Sequence, residues 1–311
     1  MRARLLAAAA AALCIAPAGA VPEGAASVTA AAVCDFRAVG ALHPDKGLRN
    51  KDTLAAKLCS PRILPHDYAI ARGAIDLDPE GYSGYFFVNA RTRHIDEQLE
   101  RAAKDGARQV VVLGAGFDSR AYRFHRRYPK LRFFEVDFPA TSSAKQAAVK
   151  RVLGRLPAHV RYVPIDFDKQ TLETALPAAS YDPRQRSFFI IEGVLMYVNE
   201  AGNRATLDFI GKHSPAGSRA VYDYVLRAVI DGKFDGLFAA YRTAKAVAGL
   251  GEPFVTGWTP SEAADFARAS GLEVENDLDS AELTRRYLTS SSGKVDGRTT
   301  NWQRIIDATV R

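Results

Sequence analysis

Three acids in this chain each end a short apolar run. Asp137 follows Phe133-Phe134-Glu135-Val136, Asp166 follows Val163-Pro164-Ile165, and Glu192 follows Phe188-Phe189-Ile190-Ile191. A carboxylate at the end of a buried run is costly unless a partner or ligand satisfies it. A fourth run, Val110 to Leu113, opens into Gly114-Ala115-Gly116. Gly-x-Gly after a strand lets the backbone approach a ligand closely. Asp137 lies 21 residues beyond Gly116. An acid at that spacing can accept from both hydroxyls of a ribose. Asp166 suits an adenine amino group, with Phe167 packing on the ring. The third glycine of a dinucleotide fingerprint is replaced by Ser119, which speaks against a pyrophosphate. The acids and glycines together describe a nucleoside site without phosphate. S-adenosyl-L-methionine fits it, because its amino acid needs an acid for the ammonium and a cation for the carboxylate.

The elements that must hold these residues alternate along the chain. Residues 109–113, 131–136, 160–165, 187–192, 219–224 and 272–275 are rich in Val, Ile, Phe and Tyr and read as strands. Helical stretches separate them. One carries Ile95, Leu99, Ala102 and Ala103 and stops at Gly106. Another starts at Pro139 and stops at Gly154. A third has the capping box Thr259-Pro260-Ser261-Glu262 and stops at Gly271. Strands alternating with helices predict an α/β fold with a parallel sheet covered on both faces. Residues 226–257 interrupt the alternation with Phe234, Phe238, Tyr241 and Phe254, and Trp258 follows directly. They read either as a lid over the site or as a surface excursion packing its aromatics on the sheet. Residues 284–301 read as a polar loop.

These motifs resemble a known family. Leu113-Gly114-Ala115-Gly116-Phe117-Asp118-Ser119-Arg120-Ala121-Tyr122-Arg123 and Phe134-Glu135-Val136-Asp137-Phe138-Pro139 are similar to those of the leucine carboxyl methyltransferase family, whose bacterial branch is S-adenosyl-L-methionine-dependent. The likeness extends to Ala90-Arg91-Thr92-Arg93, Ile165-Asp166-Phe167, Glu192-Gly193-Val194-Leu195-Met196-Tyr197 and Gly251-Glu252-Pro253-Phe254, and covers roughly residues 28 to 290. It implies the class I methyltransferase sheet, Rossmann-like, with seven strands and the last antiparallel. It implies ribose binding by Asp137, adenine binding by Asp166 and Phe167, and Glu192 beside the methionine moiety. It further implies Arg91 and Arg37 at the cofactor carboxylate. The implied domain runs from 21 to 311. It divides into a helical cap (21–94), a cofactor-binding core (107–225), a lid insertion (226–257) and a C-terminal part of the sheet (258–311).

A carboxylate acceptor is already ionised at pH 7, so methyl transfer to it needs no general base. The six histidines are scattered, with neither metal-ligand spacing nor a Ser-His-Asp or Cys-His pattern. No catalytic residue or metal site is assigned. Tyr197 and Tyr222 are candidates for acceptor contact, with core packing the alternative for both. The expected reaction is O-methylation of a carboxylate or hydroxyl on a small molecule. A non-catalytic exported nucleoside-binding protein and a nucleotide-dependent oxidoreductase remain as alternatives.

The composition is ordinary for a globular chain of 311 residues: 47% hydrophobic, 25% charged and net +7. The densest basic cluster, Arg120 to Arg132, lies between two predicted strands. It reads as a solvated face rather than a nucleic-acid surface. Met1-Arg2-Ala3-Arg4, an apolar stretch to Ile15 and Ala18-Gly19-Ala20 have the layout of a signal peptide over residues 1–20. Export to a periplasmic or extracellular location is expected if it is used. A cytoplasmic location is expected if the true start lies downstream, at Val21 or Val28 for instance. No membrane span is expected in the mature chain. Cys34 and Cys59 could pair in an oxidising compartment or remain as buried thiols.

Overall fold

The computed structural model describes residues 28–59, 72–73, 75–166 and 169–311. The signal-like segment 1–20 and Phe167 lie outside them. The strands are β1 (Gln109–Leu113), β2 (Arg132–Asp137), β3 (Val160–Pro164), β4 (Ser187–Ile191), β5 (Arg219–Val225), β6 (Leu272–Leu278) and β7 (Gln303–Val310). They form one sheet in the order β3-β2-β1-β4-β5-β7-β6. Neighbours from β3 through β5 pair in parallel, and β7 runs antiparallel to both β5 and β6. This is the mostly parallel seven-stranded sheet that the motifs implied.

β1 and β4 are central and every residue in them is buried. That explains their unbroken apolar composition. Alternation sorts the side chains between two cores. Val110, Val112, Phe133, Phe188 and Ile190 face one way. There they meet Ile95, Leu99 and Ala102 of helix α3 (Ser83–Lys104). Val111, Leu113, Phe134, Phe189 and Ile191 face the other way, onto Leu207, Phe209 and Ile210 of α7 (Glu200–Lys212). The helix signals coincide with real ends. α5 (Pro139–Leu153) begins on its proline and ends at Gly154, whose φ is 76°. α10 (Pro260–Ala269) carries the complete capping box.

Before α3 lie α1 (Val28–Gly40) and the short α2 (Ala55–Leu58). Cys34 of α1 and Cys59, just past α2, form a disulfide with Cα atoms 6.2 Å apart. It closes a loop of 25 residues. Chain entropy assigns such a bond roughly 3–4 kcal/mol. Urea melts with and without reductant should separate by about that amount. A Cys34→Ser, Cys59→Ser double variant should melt with the reduced protein. Coincident oxidised and reduced melts would show that the bond contributes nothing.

Among the described residues no helix is long and apolar enough to cross a membrane.

Candidate cofactor and acceptor site

The sheet order reverses at β1, between β2 and β4. Ligands of such sheets sit beyond the carboxyl ends of the strands at this point. A cavity of ≈ 620 Å³ lies there. Its floor is the Gly114–Gly116 loop, and its rim carries Asp137 and Glu192. Gly114 and Gly116 hold φ values of 63° and 42°. A Cβ on Gly114 would come within 2.4 Å of Val194 Cγ2. Both glycines are therefore needed for the loop's path.

Asp137 sits at the end of β2 with its carboxylate already oriented. The Gly116 N–H donates to Oδ2 at 2.5 Å and the Phe138 N–H to Oδ1 at 2.7 Å. Each oxygen keeps acceptor capacity for a hydroxyl. Burial raises this carboxyl above its ordinary value, against the pull of those two N–H groups.

Glu192 follows β4 and accepts from two buried guanidiniums. Arg91 Nε lies 3.1 Å from Oε1 and Arg120 Nη1 lies 2.7 Å from Oε2. Burial works against its ionised form, yet Arg120, Arg91 and Arg37 hold the carboxyl down to about 2. Arg91 also donates to Asp223 of β5 at 2.7 Å, and Asp223 accepts the Gly193 N–H at 2.7 Å. Arg37 donates to Asp52 at 3.0 Å and to the Phe117 carbonyl at 2.8 Å. Arg37 Nη1 and Arg91 Nη2 make no hydrogen bond among the described residues. Two guanidinium edges and one carboxylate thus converge on one end of the cavity. That donor set suits the carboxylate and ammonium of an α-amino acid.

Asp166 stands apart. It follows β3 as expected, but it is not among the residues lining the cavity, and its carboxylate pairs with Lys169 at 2.7 Å.

The basic cluster needs correction. Arg126, Arg127, Lys130 and Arg132 are exposed as read, but Arg120 and Arg123 turn inward. Arg120 is 2% exposed and bridges Asp96, Asp118 and Glu192. Arg123 clamps Asp96 with both Nη atoms, at 2.8 and 2.9 Å. Ser119, at the position of the missing third glycine, accepts from Arg123 at 2.7 Å and donates to Asp52 at 2.5 Å. Its side chain serves the ion network.

The cavity lining is also aromatic. Phe87, Tyr197, Phe254 and Trp302 belong to it, and the Phe87 ring centroid lies 5.3 Å from the Arg91 guanidinium carbon. The Phe254 ring centroid is 5.4 Å from that of Tyr197 and 5.9 Å from that of Trp302. Tyr197 therefore lines the site, whereas Tyr222 is 2% exposed within the core under the sheet. Within residues 226–257 Phe254 lines the cavity, and just past them Trp258 packs on Tyr224 and Phe266. Arg242 and Val247 of α9 (Ala240–Gly249) complete that wall. Glu252 accepts from Thr29 of α1, and both line the cavity.

Arg120 was read as part of a solvated face, and Asp223 was not singled out from sequence. Asp223 had a signal: it is the lone acid inside Val221-Tyr222-Asp223-Tyr224-Val225, where burial demands a partner.

The family model for leucine carboxyl methyltransferase matches residues 30–211. This chain belongs to the leucine carboxyl methyltransferase family. Among its relatives is the Bacillus subtilis protein named "Putative S-adenosyl-L-methionine-dependent methyltransferase YktD", 29% identical over 208 residues, which are 65% of this chain and 66% of that one. A Streptomyces coelicolor protein of the same descriptive name is 37% identical over 148 residues, covering 47% of this chain and 51% of the relative. The matches thus span between half and two thirds of these relatives' length. Among solved structures, one titled as a putative methyltransferase from Thermobifida fusca superposes with a TM-score of 0.59 at 15% identity, over 93% of this chain and 97% of that one. A DUF574 family protein from Streptomyces avermitilis gives 0.58 at 15% identity, over 92% and 98%. These two share the fold of the family member described here. Neither an oxidoreductase nor a non-catalytic binding protein finds support among these matches.

Proposed function

We propose that this chain is an S-adenosyl-L-methionine-dependent methyltransferase acting on oxygen, at a carboxylate or hydroxyl of a small molecule. The observation that carries this reading is that two kinds of side chain line one cavity. Asp137 is available for a ribose, and Glu192, Arg91 and Arg37 for an amino acid. Phe87, Tyr197, Phe254 and Trp302 add an aromatic lining for the acceptor. Asp166 and Phe167 remain assigned to the adenine by resemblance.

When bound, the cofactor supplies an electrophilic sulfonium methyl. The chain's own part is positional. Asp137 fixes the nucleoside, and the guanidinium edges orient the amino acid. Phe87, Tyr197, Phe254 and Trp302 exclude water around the acceptor oxygen. Orientation of two reactants can lower a barrier by on the order of 7–11 kcal/mol. A carboxylate needs no proton removed, which suits a chamber whose described lining holds no histidine, lysine or cysteine.

The test is incubation with methyl-labelled cofactor and a panel of aromatic and aliphatic acids and phenols. Label released by mild base marks an ester, and label released only by ether cleavage marks a hydroxyl acceptor. Label resisting both treatments sits on nitrogen or carbon and overturns the reading.

A further inference from the structure

Behind the glycine loop lies a buried lysine that the cofactor contacts do not use. Lys145, on α5, has a side chain 2% exposed. Its Nζ lies 2.9 Å from Glu135 Oε2 and donates to the Ala115 carbonyl at 3.2 Å. Burying an ammonium is expensive, and an apolar side chain of similar length would pack there at lower cost. What the lysine adds is a tie between two parts of the site. The Ala115 N–H donates to the Val136 carbonyl at 3.0 Å, and the Gly116 N–H to Asp137 at 2.5 Å. Lys145 supplies the third bond, from the outer side of the loop. Those three bonds set where the loop stands relative to Asp137.

We propose that Lys145 is a positioning residue for the ribose end of the cofactor site, holding the Gly114–Gly116 loop against β2 through Ala115 and Glu135. The proposal rests on the cofactor reading given above.

Glu135 makes the tie sensitive to protons. Lys145 of α5, Tyr122 of α4 (Arg120–Arg123), Tyr162 of β3 and Asp118 of the loop before α4 surround it. Tyr122 donates to Oε2 at 3.1 Å, while Oε1 is buried with no partner among the described residues. Burial pushes the Glu135 carboxyl up to about 7, with Lys145 pulling the other way. Below that pH Glu135 is neutral and Lys145 loses its counter-charge. The tie through Glu135 is then weakened, and the loop is held less firmly against Asp137.

Calorimetric titration with 5′-methylthioadenosine tests this, since that nucleoside lacks the amino acid and has no group titrating near neutrality. Wild type, K145M, K145R and E135Q are compared at about pH 6 and about pH 8.5, on either side of the Glu135 midpoint. Wild-type affinity should rise several-fold from the lower to the higher pH. K145M should bind about ten-fold more weakly than wild type at the higher pH, with no pH dependence. K145R should recover part of the loss. E135Q should stay at the acid-side affinity throughout. A folded K145M that binds like wild type overturns the proposal. Should K145M not fold, wild-type pH dependence in E135Q overturns it equally. A wild type that binds neither this nucleoside nor S-adenosyl-L-methionine removes the cofactor reading itself, and the proposal with it.

Discussion

Arg120→Met should unfold at markedly lower urea than the wild type, losing about 3–5 kcal/mol. Such a loss is a large share of the stability of an ordinary domain, about 5–15 kcal/mol. The methionine fills much of the same volume, so packing is not the main effect. The variant strands three buried carboxylates, since Asp96, Asp118 and Glu192 all contact this guanidinium. Burial works against the charge of Arg120, but these acids hold its pKa well above the ordinary value. The control is Arg127→Met, seven residues along the same basic run. Arg127 is 61% exposed and pairs with Glu100 at the surface, so its loss should cost under about 1 kcal/mol. Equal midpoints for the two variants would show that the inward network does not contribute to stability. Acid should act on the same network in wild type. Glu192 titrates near 2 when folded and near 4.5 when free. Its contribution is complete above the free value and fades as pH falls toward 2.

The second large effect is on binding. Asp137→Asn should weaken S-adenosyl-L-methionine binding by about 100- to 1,000-fold, from the loss of two charge-assisted hydrogen bonds. The amide keeps the size of the carboxylate and can still accept one backbone N–H. Its nitrogen, however, presents donors to hydroxyls that need an acceptor. Thermal stability should fall by about 1–3 kcal/mol at most, because one of the two backbone N–H groups is left facing the amide nitrogen. Calorimetry and a melt on the same sample separate the two effects. Unchanged affinity in a folded variant would exclude Asp137 as the ribose ligand.

Much of this could be read from residues alone, for reasons that differ by element. β1 and β4 were legible because a strand buried on both faces must be apolar throughout. α5 and α10 were legible because proline, capping-box and glycine signals act locally. β7 was not located. Gln303-Arg304-Ile305-Ile306-Asp307-Ala308-Thr309-Val310 mixes polar and apolar residues, and its direction depends on partners far away in the chain. In the site, Asp137 and Glu192 were visible because an acid ending an apolar run is conspicuous. Arg120 and Arg123 were misread. A basic run looks solvated until its acids are known, and Asp52 and Asp96 lie at unrelated positions in the chain. Lys145 was hidden for the same reason, since Ser143-Ala144-Lys145-Gln146 resembles the wet side of a helix.

The place of β7 has a consequence for how the protein is made. The strand nearest the carboxyl end stands sixth of seven in the sheet, between β5 and β6. A ribosome delivers it after every other strand. Until residue 303 emerges, β5 has an open edge and β6 has no neighbour to pair with. Both then present unpaired backbone groups that can template wrong strand pairing. The parallel half can assemble as it is synthesised, whereas the other half must wait for the final eight-residue strand. Premature termination shortly before that strand would therefore harm the nascent chain out of proportion to the length lost.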